Sequence, residues 1–213
     1  MQQLPDNVSQ VLIHLQQRHR AQRLANFVEL NKSVEKGGIL FIGDSITEGF
    51  PIHEMLKCGK AMYNRGIGGD KTQDVLNLMK DIVYDLEPAK VFLLIGTNDL
   101  GFDIKPPAIV ERIKEIVTNI QQQLPETKLY LQSIYPVNQS YPASQAGLRN
   151  NHDIQRINVA IREIASKDQI AYIDLYPKLI DGEGLLHDEY TYDGLHLTIK
   201  GYEVVREEIQ KYL

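Results

Sequence analysis

A serine, a histidine and an aspartate of this chain sit in settings suited to acyl-transfer chemistry. Ser45 lies in Gly43-Asp44-Ser45-Ile46-Thr47-Glu48-Gly49, and Asp193 precedes His196 by three residues in Tyr192-Asp193-Gly194-Leu195-His196-Leu197-Thr198. A serine hydroxyl is a nucleophile only with a base to take its proton, and an imidazole of ordinary pKa, about 6.5, can be that base at neutral pH. In a tight turn the three-residue spacing puts both side chains on one side. A carboxylate there can hold one ring nitrogen and leave the other for a serine. Asn64-Arg65-Gly66-Ile67-Gly68-Gly69-Asp70 offers a glycine-rich turn whose backbone N–H groups can approach a substrate closely. Gly96-Thr97-Asn98-Asp99 offers a side-chain amide that can donate to an oxyanion without a charge to desolvate.

Each segment taken singly also has a plainer reading. Asp44 and Ser45 are good helix N-caps, Asn98 can close an Asx turn, and Asp193 with His196 can be a surface pair. The glycine-rich stretch is not a Walker loop, because Asp70 stands where glycine must precede Lys71-Thr72. Nor is it a dinucleotide fingerprint, whose third glycine would fall at Lys71.

The elements that carry these residues decide whether they meet. Short apolar runs at Ile39–Ile42, Lys90–Ile95, Lys128–Ile134 and Gln169–Ile173, with a weaker one at Ala61–Tyr63, read as five buried strands. Helical periodicity covers Thr72–Leu86, Pro107–Leu124, Asn151–Ala165 and Ile199–Tyr212. Alternation of this kind predicts an α/β protein with a parallel sheet and helices on both faces, whose chemistry collects outside the carboxyl ends of the strands. All four polar segments fall at strand ends or just before a helix, so one sheet edge can gather them. Ahead of the first strand, Val8, Val11, Leu12, Leu15, Leu24, Phe27 and Val28 predict an amphipathic helix over 7–30, started by Pro5-Asp6. The irregular stretch Pro136–Arg149 is long for a strand-to-helix connection, as functional loops often are.

Composition narrows the remaining classes. With 213 residues, 23 Lys and Arg against 28 Asp and Glu and a net charge of −5, the chain fits one domain, residues 1–213, and lacks the basic footprint of a nucleic-acid or anionic-membrane binder. A single cysteine, Cys58, excludes a disulfide framework within the chain and any cysteine metal cluster. No apolar run approaches the about 20 residues of a membrane span. The start Met1-Gln-Gln-Leu-Pro-Asp has neither a basic nor an apolar leader region, which favours a cytoplasmic protein. His14 and His19 read as surface residues of the first helix. His53, His152 and His187 have no ligand spacing, so no metal site is expected.

The ordered blocks Gly43-Asp44-Ser45, Gly69, Gly96-x-Asn98-Asp99 and Asp193-x-x-His196 resemble the SGNH (GDSL-type) hydrolase superfamily. Asn64–Asp70, Leu94–Asp99 and Asp193–Thr198 are similar to its platelet-activating-factor acetylhydrolase-like branch. The resemblance runs from about Ile39 to the C-terminus and leaves residues 1–34 as a helix packed on the domain. It implies a three-layer α/β/α flavodoxin-like sandwich on a five-stranded parallel sheet. It also implies a serine esterase without metal or organic cofactor, acting through an acyl-enzyme on a carboxylic ester, with a short (acetyl) group suggested by the branch. Carried over, Ser45 is the nucleophile, His196 the base and Asp193 its orienting partner. The oxyanion donors are the backbone N–H groups of Ser45 and Gly69, with Gly68 as the neighbouring alternative, and the side chain of Asn98. Asp44 fixes the turn. The partner implied is a small-molecule acyl ester, and a homodimer is consistent with relatives of the branch. The Pro136–Arg149 loop and Gly101–Pro107 are expected to wall the leaving-group side, lined by Tyr135 and Tyr141. Two other readings stand beside this one: an acyltransferase with the same triad, and a non-catalytic flavodoxin-like binding module.

Overall fold

A computed structural model describes residues 6–213. Its five strands are β1 (Ile39–Gly43), β2 (Met62–Gly66), β3 (Lys90–Leu94), β4 (Lys128–Gln132) and β5 (Ala171–Ile173). They form one parallel sheet in the order β2-β1-β3-β4-β5. The helices are α1 (Asp6–Asn31), α2 (Ser45–Glu48), α3 (Ile52–Met55), α4 (Thr72–Ile82), α5 (Thr97–Gly101), α6 (Pro106–Gln123), α7 (Asn151–Lys167), α8 (Tyr176–Leu179) and α9 (Ile199–Ile209). Among the described residues no helix is long and apolar enough to cross a membrane.

Strand alternation divides the core in two. Leu40, Ile42, Val91, Leu93, Leu129 and Leu131 point to one face, where they meet Val75 and Met79 of α4, Ile113 and Ile116 of α6 and Ile157 and Ile161 of α7. Ile39, Phe41, Phe92, Leu94 and Tyr130 point to the other, against Ile46, Ile52, Leu179, Tyr202 and Val205. This is the expected α/β/α sandwich. Phe41, Phe92 and Tyr130 are register neighbours on β1, β3 and β4, and their rings stack at centroid distances of 4.8 and 4.6 Å. The chain passes from β1 out to β2 and returns to lay β3 on the far side of β1, so the sheet order reverses at the end of β1.

The first helix forms where expected but does not dock as its apolar residues suggest. Val8, Val11, Leu15 and Val28 are exposed, and of the predicted stripe only Phe27 is fully buried. The Leu12 side chain and Pro5 lie outside the described residues. The helix is held instead by a polar stripe about three turns long. Arg20 Nε donates to Asp70 at 2.6 Å, Arg23 donates twice to the Gly66 carbonyl at 3.0 and 2.7 Å, and Asn31 donates to the Asp81 carbonyl. Hydrophobic burial cannot hold a helix lying over a polar strand-end edge, so ion pairs and hydrogen bonds do. Replacing Phe92 by alanine removes the middle ring of the aromatic stack. Urea denaturation is expected to show a loss of about 3–5 kcal/mol, seen as a lower midpoint with the slope unchanged.

Candidate active site

β1 ends in Gly43 and the chain turns at once. The Asp44 side chain caps α2 by accepting the Ile46 N–H at 2.9 Å, leaving Ser45 as the first helical residue. With only four residues, α2 offers its free N–H groups rather than a dipole of consequence. A Cβ at Gly66 would fall on the Glu48 backbone, so the end of β2 must be glycine for this turn to lie against it. Ser45 Oγ is 2.9 Å from His196 Nε2, and His196 Nδ1 is 2.6 Å from Asp193 Oδ2. The other Asp193 oxygen accepts the backbone N–H groups of Leu195 and His196 at 3.0 and 2.7 Å. Burial pushes the Asp193 carboxyl up, but the bonds from the His196 ring and these two N–H groups outweigh it and hold the pKa below the ordinary carboxylate value.

The turn carrying Asp193 is gripped by the long irregular segment. Asn138 N–H donates to the Gly194 carbonyl at 2.8 Å and Gln145 N–H to the Asp193 carbonyl at 2.7 Å. Tyr192 covers the imidazole, with ring centroids 5.9 Å apart.

Across from the histidine, the glycine-rich loop lies beside Ser45. Gly68 N–H is spent on Glu48 Oε2 at 2.6 Å, whereas the N–H groups of Ser45 and Gly69 have no acceptor among the described residues. Gly69 has a φ of +83°, a backbone conformation open to glycine at no steric cost. Asn98 Nδ2 donates to the Asp70 carbonyl at 3.0 Å, and the second hydrogen of that amide has no acceptor among the described residues. Asp99, fully buried, accepts Thr72 N–H and Thr72 Oγ1 at 2.9 and 2.6 Å, which ties the loop after β3 to the start of α4. All the sequence-predicted site residues thus meet at one place.

They border a cleft of about 320 Å³, walled by Gln16, His19, Gln145, Arg149 and Leu195 around Ser45 and His196. Among the described residues a larger groove of about 520 Å³ lies over His152, Gln155, Arg156 and Val159, but no serine hydroxyl paired with a histidine borders it. Three expectations for the walls need correction. Tyr135 is buried with its hydroxyl donating to Gln132, Tyr141 does not border the cleft, and Gly101–Pro107 lies outside it. From Pro136–Arg149 the wall takes Gln145 and Arg149 instead. The facing wall comes from α1, where His19, exposed as expected, pairs with Glu48 at 2.8 Å. The signal for this wall is the helical spacing of Gln16, His19, Arg20, Arg23 and Phe27, a stripe overshadowed by the apolar residues beside it.

Asp44 is a buried acid directly beside Ser45. Burial pushes its carboxyl up to about 6, against the pull of the Ile46 N–H bond and the nearby His196 and Arg149, and its second oxygen has no hydrogen-bond partner. A carboxyl with a raised folded-state pKa favours the fold when protonated. That contribution is present below about pH 4 and is lost as the pH rises through about 6. Stability of the native protein, relative to Asp44→Asn, should therefore fall between about pH 4 and 6 and level off above. Urea midpoints taken across this range for both proteins check it, and parallel curves would contradict it.

Residues 41–204 match the model of the GDSL-like Lipase/Acylhydrolase family. Platelet-activating factor acetylhydrolase IB subunit alpha1 of Pongo abelii is 27% identical over 183 residues, spanning 82% of this chain and 74% of that protein. A GDSL esterase/lipase of Arabidopsis thaliana is 27% identical over 205 residues, spanning 82% of this chain and 85% of that protein. A solved structure from Streptococcus pneumonia, described as a platelet activating factor, is 34% identical, covers 98% of this chain and 99% of that one, and superimposes with a TM-score of 0.91. With an α/β sandwich, a serine at the end of its first strand and a family match over most of its length, the chain belongs to the GDSL-like lipase/acylhydrolase family and is a carboxylic ester hydrolase.

Proposed function

We propose that the chain hydrolyses short-acyl esters of small polar alcohols through an acyl-enzyme on Ser45. The observation that carries this reading is the unbroken line Ser45 Oγ, His196, Asp193 at 2.9 and 2.6 Å, with the unpaired N–H groups of Ser45 and Gly69 beside it. As Ser45 Oγ bonds to the ester carbonyl carbon, His196 Nε2 takes its proton, and Asp193 stabilises the imidazolium through Nδ1–H. The carbonyl oxygen becomes an oxyanion held by Ser45 N–H, Gly69 N–H and Asn98 Nδ2–H, donors fixed before the charge appears. The intermediate collapses with release of the alcohol, which carries off the His196 proton. Water, deprotonated by the same imidazole, then attacks the acyl-enzyme, releases the carboxylic acid and restores the serine.

The cleft walls support the substrate class. Among the described residues bordering the cleft Leu195 is the one aliphatic side chain, a polar lining that suits a short acyl group better than a long one. The amides of Gln16 and Gln145 have no hydrogen-bond partner among the described residues, so they suit hydroxyl groups on the alcohol. The name of the acetylhydrolase relative agrees with a short acyl group.

Release of p-nitrophenol from acetate, butyrate, octanoate and palmitate esters tests the reading. Activity should be confined to the shortest chains, and Ser45→Ala should lower kcat by at least about 1,000-fold. A mutant as active as the native enzyme would rule out Ser45 as nucleophile. Asn98→Ala should lower kcat by about 100- to 1,000-fold with little change in KM. Leucine at both Gln16 and Gln145 should raise KM for an acetylated sugar by about tenfold while leaving p-nitrophenyl acetate within about twofold, read by steady-state kinetics on both substrates.

A further inference from the structure

Arg149 closes the irregular segment and sits beside the cleft with only 9% of its surface exposed. Among the described residues it forms no ion pair; the carboxylates of Asp44 and Asp193 act on it only from longer range, and a buried cation left without a direct partner is costly. Its guanidinium is held by neutral oxygens. Nε donates to the Thr97 carbonyl at 2.9 Å, Nη1 to the Gln145 and Ala146 carbonyls at 3.3 and 3.1 Å, and Nη2 to Asn98 Oδ1 at 2.7 Å. One flat face lies on Gly101, where an added Cβ would stand 2.6–2.9 Å from the guanidinium atoms.

The bond to Asn98 has a chemical consequence. A primary amide has an accepting end and a donating end of nearly the same shape, and only the donating end can stabilise an oxyanion. With Oδ1 pinned by Arg149 and one Nδ2 hydrogen pinned by the Asp70 carbonyl, the amide cannot turn over, and its remaining N–H is left for the cleft. A charge-assisted bond at the oxygen also draws electron density from the amide and strengthens that N–H as a donor.

We propose that Arg149 is a positioning residue of the hydrolytic reaction, locking and polarising the Asn98 amide as an oxyanion donor, with Gly101 as the seat that lets its guanidinium lie flat. This rests on the reading of Asn98 given above. A partner with the same charge but no fork, such as lysine, cannot hold Thr97, Ala146 and Asn98 at once.

The test is a double-mutant cycle on p-nitrophenyl acetate hydrolysis. Arg149→Met and, separately, Gly101→Ala should lower kcat by about 10- to 100-fold with KM within about threefold, and Arg149→Lys should restore only part of the loss. In an Asn98→Ala background the same substitutions should cost less than about threefold, because the group they act through is gone. Losses of equal size in both backgrounds would overturn the proposal, as would a Gly101→Ala variant of native kcat. Gly101→Ala keeps the buried charge, so it carries the test where Arg149→Met fails to fold. If Asn98→Ala by itself leaves kcat unchanged while Ser45→Ala abolishes it, the oxyanion role of Asn98 fails and this proposal with it, yet the serine mechanism stands.

Discussion

The site depends on how closely a turn can lie against the ends of two strands. Between β1 and α2 the chain has no connecting loop, only Asp44, and the turn it caps presses on the last residue of β2. Glycine at Gly66 allows that approach, because any Cβ would occupy the place of the Glu48 backbone. From this contact the rest follows in order. The turn presents Ser45 at the reversal point of the sheet, the loop after β2 comes alongside with Gly69, and Asn64 ties the two by donating to the Thr47 carbonyl at 2.6 Å while accepting the Gly66 N–H at 2.9 Å. The aromatic stack of Phe41, Phe92 and Tyr130 fixes the strands beneath, so the turn rests on a floor that does not give.

Opposite charges do the second part of the assembly. The Gly66–Asp70 loop has free backbone groups and a buried carboxylate, and α1 meets both, Arg23 on the Gly66 carbonyl and Arg20 on Asp70. Burial pushes the Asp70 carboxyl up, and Arg20 offsets only part of that. A helix lying outside the stretch matched by the family thus braces the loop that offers Gly69 and walls the cleft with Gln16 and His19. In the last third of the helix Phe27, whose ring lies 4.6 Å from the guanidinium of Arg65, joins the apolar core, and half-buried Leu24 packs against the same core.

What could be read in the sequence divides along a physical line. Strands buried on both faces, such as Ile39–Ile42 and Val91–Leu94, announce themselves as unbroken apolar runs, and glycine or asparagine at their ends marks where polar chemistry must begin. Residues separated by three in one turn, Asp193 and His196, are legible for the same reason, since local geometry brings them together. Contacts made at long range are not. Nothing in the run Gly147-Leu148-Arg149 tells that its arginine reaches back to Asn98, and a helix whose apolar residues face outward misleads any reading based on periodicity alone. Tyr135 misled in the opposite sense: an aromatic hydroxyl at a strand end found its partner inside, in Gln132, rather than in the cleft. The strand ends ran short for a related reason. Ile134 leaves the ladder because Asn158 takes over its backbone bonding, accepting the Ile134 N–H and donating to its carbonyl.

The distance along the chain between Ser45 and His196 bears on how the protein comes into being. They are 151 residues apart, and the turn holding His196 is secured by a segment that itself bridges β4 and α7. At about 5–20 residues per second, a ribosome exposes the serine about 8–30 s before the histidine. On the mechanism proposed above, Ser45 has no base during that interval, so the growing chain would be inert towards esters in its surroundings. On that mechanism, hydrolytic competence arrives as a single late event, when α9 docks and the turn carrying His196 closes, and the catalyst is switched on by the completion of its own fold.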